Sequence, residues 1–74
     1  MILDRFEQTV HAQFAGAPKA LPLTTKLSDL SVDAVDLRAL VLNLEVEFGC
    51  AYPPARWKKA RTLGDLLRMV EEFI

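Results

Sequence analysis

The amino-acid sequence predicts an all-α fold: a four-helix bundle with a long first connection and a short third helix. Three observations predict it. Apolar residues recur at helical spacing in separate segments, at 2–15, 34–48 and 63–74. Helix-start chemistry stands just ahead of two of them, at Asp33 and Thr62. Gly16-Ala17-Pro18 and Pro53-Pro54 punctuate the chain between them.

The first helix spans residues 2 to about 15, with Leu3, Phe6, Val10 and Phe14 as one apolar stripe. His11 lies beside that stripe and reads as a surface or half-buried side chain. Leu21-Pro22 keeps the next stretch from being helical. The connection from about 16 to 32 is long for a bundle. It is expected to lie ordered across the helices on Leu21, Leu23, Leu27 and Leu30, with a short turn at Ser28-Asp29.

The second helix carries most of the information. Asp33 is its N-cap and Gly49 its stop, giving a span of about 34–48. Leu37, Leu40, Val41, Leu44 and Phe48 form a core face. Val35, Leu42 and Val46 make a second apolar line on another side, which either meets a partner or packs under the first connection. Pro54 suits the first position of a short third helix through Lys59. Tyr52 and Trp57 are expected to pack inward, with Arg56, Lys58, Lys59 and Arg61 as a basic patch around Trp57. Thr62 and Asp65 form a capping box for the last helix, which buries Leu63, Leu66, Leu67, Val70 and Phe73 and runs to Ile74.

Size and composition bound the function. A chain of 74 residues has room for one domain, residues 1–74, and one small core. A content of 51% hydrophobic and 26% charged residues is that of a globular protein and not of a disordered one. The single Cys50 excludes an internal disulfide, and no ligand set resembles a metal site. No apolar run approaches the roughly 20 residues of a membrane span. The start Met1-Ile2-Leu3-Asp4-Arg5 lacks the basic region of a signal peptide. The expectation is a soluble, cytoplasmic, monomeric protein without a membrane partner. The basic patch is one turn long in a chain of pI 5.7, which argues for protein docking and against nucleic acid. No Ser/His or Cys/His pairing and no glycine-rich phosphate loop points to an enzyme.

One stretch organises the rest, Leu30-Ser31-Val32-Asp33-Ala34-Val35-Asp36-Leu37. A helix entered through Asp33 presents free backbone N–H groups and a positive dipole end, which suits a phosphate attached nearby. The residue best placed to carry such a group is Ala34, and alanine has no atom to attach it through.

The run from Thr25-Lys26-Leu27-Ser28-Asp29-Leu30 through Asp33-Ala34-Val35-Asp36-Leu37 to Leu44-Glu45-Val46-Glu47-Phe48-Gly49 resembles acyl carrier proteins. That family reads Leu-Gly-x-Asp-Ser-Leu-Asp, followed by a helix ending Leu-Glu-x-Glu-Phe-Gly. The resemblance continues through Pro53 and Arg61-Thr62-Leu63-Gly64-Asp65-Leu66, covering nearly the whole chain. It implies a shuttle and not a catalyst. In the family, a phosphopantetheinyl transferase joins a serine to 4'-phosphopantetheine, whose thiol carries acyl groups as thioesters between acyl-transferring or condensing enzymes. Asp33 matches the residue before that serine, Val35 the one after it, and Ala34 the serine itself. Ser31 falls where the family has glycine, and neither it nor Ser28 stands at the helix start. Cys50 lies at the opposite end of the helix and reads as a small, partly buried thiol.

The resemblance also implies a partner-binding surface, here Asp36, Arg38, Leu42, Val46, Arg56, Lys58 and Lys59. It further implies an acyl cleft between the second and third helices, with Leu44, Trp57, Ala60 and Leu66 as lining, unless Trp57 fills it. Where many fatty-acid carriers are acidic in the third-helix region, this chain is basic, although Asp33, Asp36, Glu45 and Glu47 remain. Like charges facing a basic partner weaken docking. The expectation is therefore a specialised carrier of acyl or polyketide intermediates with its own enzymes. Two readings of Ala34 follow. Either alanine has replaced the serine of a working carrier, leaving it unable to be loaded, or the chain is a natural carrier-like protein that binds or positions a partner enzyme without phosphopantetheine.

Overall fold

The computed structural model describes residues 2–14 and 22–73. The described elements are α1 (Ile2–Gln13), a 3-10 helical turn (Leu27–Leu30), α2 (Ala34–Phe48), α3 (Pro54–Trp57) and α4 (Leu63–Glu72). The all-α class and the helix order are those the sequence predicts. The expected stop at Gly16-Ala17-Pro18, the anchor Leu21 and the last residue Ile74 lie outside the described residues.

Local chemistry sets the helix ends. The Asp33 carboxylate accepts the Asp36 N–H at 2.8 Å, and Gly49 closes α2 in the left-handed region at φ 67°, its N–H bonded to Glu45 C=O. Val32 and Leu37, at the two staple positions around this cap, both pack against the core. At α4 both halves of the capping box are formed: Thr62 Oγ1 accepts the Asp65 N–H, and Asp65 accepts the Thr62 N–H.

The core draws Phe6 and Val10 from α1, Leu27 from the connection, Leu40, Val41 and Leu44 from α2, Tyr52 from the α2–α3 loop and five residues from α4. Each large apolar side chain so buried contributes about 1.5–3 kcal/mol. Leu3 is not among them and stays 40% exposed. Phe6 and Val10 define the buried line of α1, and the side chain four residues before Phe6 is Ile2, which packs on the core in its place. Met69 is buried although it lies outside the expected stripe. It is covered because α4 packs against both α1 and α3, which widens its enclosed arc.

The described part of the first connection is pinned by backbone bonds. Leu27 N–H donates to Arg61 C=O at 2.8 Å, Leu63 N–H to Thr25 C=O at 3.1 Å, and Gly64 N–H to Leu23 C=O at 2.8 Å. An isolated antiparallel bridge, Lys26 with Thr62, records this pairing. The third helix ends at Trp57, two residues before the expected Lys59. Ala60 N–H turns back to Trp57 C=O, and this tighter bond replaces the α-helical pattern.

Candidate functional site

Ser31 sets the approach to the start of α2. It closes the 3-10 turn in the left-handed conformation, φ 58° and ψ 34°, and is the one described non-glycine residue with positive φ. That conformation costs roughly 1–2 kcal/mol for a residue with a Cβ. It explains physically why glycine suits this position. Val32 N–H then returns to Leu27 C=O at 3.1 Å, and the chain enters α2 through Asp33.

Ala34 is the first residue of α2 and is exposed. It stands on the wall of a groove of about 820 Å³ between α2 and α3. Val35, Leu37 and Arg38 continue the α2 side, and Pro54, Trp57 and Lys58 form the other. A smaller cavity of about 180 Å³ shares Arg38, Pro54 and Trp57 and runs on to Val41, Leu42, Glu45 and Tyr52. Together they make a track along α2 that begins at its N-terminus. Trp57 is half-buried and walls the groove without filling it.

The second apolar line of α2 is exposed: Val35 at 76%, Leu42 at 51% and Val46 at 85%. The rest of the expected constellation is divided. Leu44 and Leu66 are fully buried in the core. Ala60 lines two other depressions, one with Arg56, Lys59 and Arg68, the other with Lys26, Leu27 and Thr62. Trp57 and Ala60 line separate depressions, and Leu44 and Leu66 line none of these. The apolar groove lining comes instead from Leu37, Pro54 and Trp57 with Ala34 and Val35. Leu37, Val41 and Glu45 join the groove beyond the residues that the family resemblance points to. The available signal was their helical spacing from Ala34, which puts residues 34, 37, 38, 41 and 45 on one side of α2.

Ion pairs redistribute the charges. Arg5 donates to both the carboxylate and the backbone carbonyl of Glu47, and its guanidinium lies 4.7 Å from the Phe48 ring centroid. Glu45 accepts the Tyr52 N–H at 2.7 Å. Arg56 pairs with Glu72 and lies over the Phe73 ring at 5.5 Å. Asp36, Arg38, Lys58 and Lys59 appear in no ion pair among the described residues. Asp36 C=O accepts the Gln13 side-chain amide at 3.0 Å, on the α1 side of the helix.

Beyond the far end of α2 the Cys50 thiol is half-buried, within bonding distance of Phe48 C=O and Phe73 C=O. The Tyr52 ring meets Phe73 edge-on, and its buried hydroxyl has no hydrogen-bond partner among the described residues. Burial, with Cys50 and Glu45 close by, pushes the Tyr52 phenol up to about 12. Among the described residues no group of three or more His, Cys, Asp or Glu side chains converges as a metal site, and no helix is long and apolar enough to cross a membrane.

No protein-family model matches the chain. Curated relatives do. The chain is 31% identical to an acyl carrier protein of Thermosynechococcus vestitus over 74 residues, 99% of this chain and 91% of that protein. It is 31% identical to one from Wolinella succinogenes, covering 95% and 93%, and 29% identical to one from Renibacterium salmoninarum, covering 93% and 86%. A capped second helix, a first connection long in sequence, a short third helix and this similarity from end to end lead to one conclusion: the chain belongs to the acyl carrier protein family, whose members are carriers and not enzymes.

Proposed function

We propose that residues 1–74 form a single carrier domain built to shuttle thioester-bound acyl intermediates between biosynthetic enzymes, and that position 34 is its attachment point. The observation that carries this reading is the opening of the groove at Ala34, on the first turn of α2. There a tethered group meets free backbone N–H groups and a positive helix end.

The group that the family implies, 4'-phosphopantetheine, supplies the thiol on which acyl groups ride. The residues present do not fit its attachment. A phosphodiester needs an oxygen on the protein, and Ala34 ends in a methyl group. Ser31 lies before the cap, within the turn that leads to it, and Asp33 spends a carboxylate oxygen on the Asp36 N–H. The loadable form is therefore the one with serine at position 34. That form would meet a phosphopantetheinyl transferase and acyl-transferring or condensing enzymes. Arg38, Lys58 and Lys59 favour a specialised carrier over one that docks through acidic residues on general fatty-acid enzymes.

The test is Ala34→Ser, incubated with coenzyme A and a broad-specificity transferase. The expected product carries one phosphopantetheine by mass spectrometry, and the Ala34 chain carries none. An unmodified Ala34→Ser protein overturns the reading.

The exposed Val35/Leu42/Val46 line favours a second reading, a natural carrier-like protein that positions a partner enzyme without any cofactor. The natural codon at position 34 separates the two. Serine there ends the second reading, and alanine favours it.

A further inference from the structure

We infer that the α2–α3 face docks on a protein surface rich in Asp and Glu around an apolar contact, opposite in sign to the basic patch that an acidic carrier would need. The inference rests on the carrier reading and adds the chemistry of the partner.

Its basis is which charges the fold has already spent. Three charged side chains line the track that begins at Ala34: Arg38, Glu45 and Lys58. Glu45 is turned to the Tyr52 N–H. Glu47 is held by Arg5 on the side of α2 that faces α1. Asp36 lies two residues from Ala34, about 200° around the helix, and its carbonyl is held by Gln13 of α1. Of the acids that sequence alone would offer to a basic partner, Glu47 is ion-paired and Asp36 stands on the α1 side. Glu45 keeps its charge but is turned to the Tyr52 loop, and Asp33 stays at the cap. Among the bases, Arg56 is offset by Glu72, whereas Arg38 and Lys58 rim the groove with no ion-pair partner among the described residues. Beside them Val35 and Leu42, which line the same track, supply exposed apolar area. A protein surface with apolar side chains ringed by carboxylates matches both features. Complementary charge raises encounter rates and excludes wrong partners, and it is sensitive to salt.

The experiment uses the Ala34 chain unchanged, since docking needs no arm. The probes are a carrier-dependent condensing enzyme with its docking Lys and Arg residues intact, and the same enzyme with those residues reversed to Glu. Binding is measured by surface plasmon resonance at low and high salt, with circular dichroism to verify that each variant is folded. The chain is expected to bind the reversed enzyme roughly tenfold or more tightly than the intact one, with the preference fading in high salt. The double variant R38E/K58E is expected to invert the preference. Tighter binding to the intact enzyme overturns the inference, as does binding to neither, or a preference that R38E/K58E leaves unchanged. Loading of Ala34→Ser by the transferase separates the two levels. If loading succeeds while docking fails, only the partner chemistry falls. If both fail, the carrier reading falls with it.

Discussion

The Glu45 carboxylate holds the backbone N–H of Tyr52 at 2.7 Å, fastening the last turns of α2 to the loop that enters α3. Seven residues separate the pair, and the loop between them turns through Gly49 at φ 67°. Hydrogen bonds to charged groups contribute about 1.5–3 kcal/mol. Glu45→Ala is expected to lower stability by that order in urea unfolding. Glu45→Gln keeps an acceptor and is expected to lose clearly less. Equal losses would mean that the contact is not the cause.

Tyr52 predicts an alkaline limit to stability. Its hydroxyl is buried without a partner among the described residues, and its phenol is pushed up to about 12, first by burial and then by Cys50 and Glu45. The unfolded chain ionises near pH 10, before the folded one does. Stability from the neutral phenol is thus complete below pH 10 and is lost as pH rises toward 12. Tyr52→Phe removes this alkaline loss. It is also expected to be neutral or stabilising near pH 7, because an unsatisfied buried hydroxyl costs about 1–3 kcal/mol. Thermal melts at neutral and alkaline pH check both statements.

Asp65 predicts the acid side. The N–H groups of Arg61, at 2.9 Å, and Thr62, at 3.1 Å, hold its carboxyl below the usual aspartate value. The unfolded state takes up the proton first as pH falls. The contribution is therefore present above the ordinary aspartate value of 3.8 and is lost below it. Asp65→Asn is expected to flatten the decline of stability between about pH 5 and pH 2 in melts followed by circular dichroism.

Gly64 predicts a packing limit in α4. A Cβ at this position would stand 3.0 Å from Leu23 C=O and 3.4 Å from Leu23 Cβ, against backbone that the Gly64 N–H already grips at 2.8 Å. Alanine normally gains up to about 1 kcal/mol over glycine inside a helix. Here the contact with the Leu23 carbonyl outweighs that gain, because backbone moves less readily than a side chain. Gly64→Ala is expected to be destabilising and to speed hydrogen exchange at the Gly64 and Leu63 amides, which anchor the first connection. A more stable variant with unchanged exchange would refute this.

Much of the fold was legible because its causes are short-range. Asp33 with Asp36, and Thr62 with Asp65, act across three residues, so the starts of α2 and α4 are read at their own positions. Gly49 is the expected stop because its positive φ costs little without a Cβ. At the start of α1 the period fits Leu3 nearly as well as Ile2, and only packing separates them, setting Ile2 against the core and leaving Leu3 exposed. Met69 escaped because two neighbouring helices close over α4, a fact about arrangement and not about period.

By itself the sequence determined the order of the helices, the caps of α2 and α4, which act through residues within one helical turn of one another, and the absence of a hydroxyl at position 34. The tertiary structure decided which charges face outward and where the groove runs. Arg5 reaches Glu47 across 42 residues and Arg56 reaches Glu72 across 16. A line of charges in sequence cannot say which of them will meet. Leu44 and Leu66 fit a cleft by spacing, yet they close the core, because burying a leucine contributes more than leaving it to line an open groove. Leu37, Pro54 and Trp57 are left to shape the groove at Ala34, where two elements meet without filling the space between them.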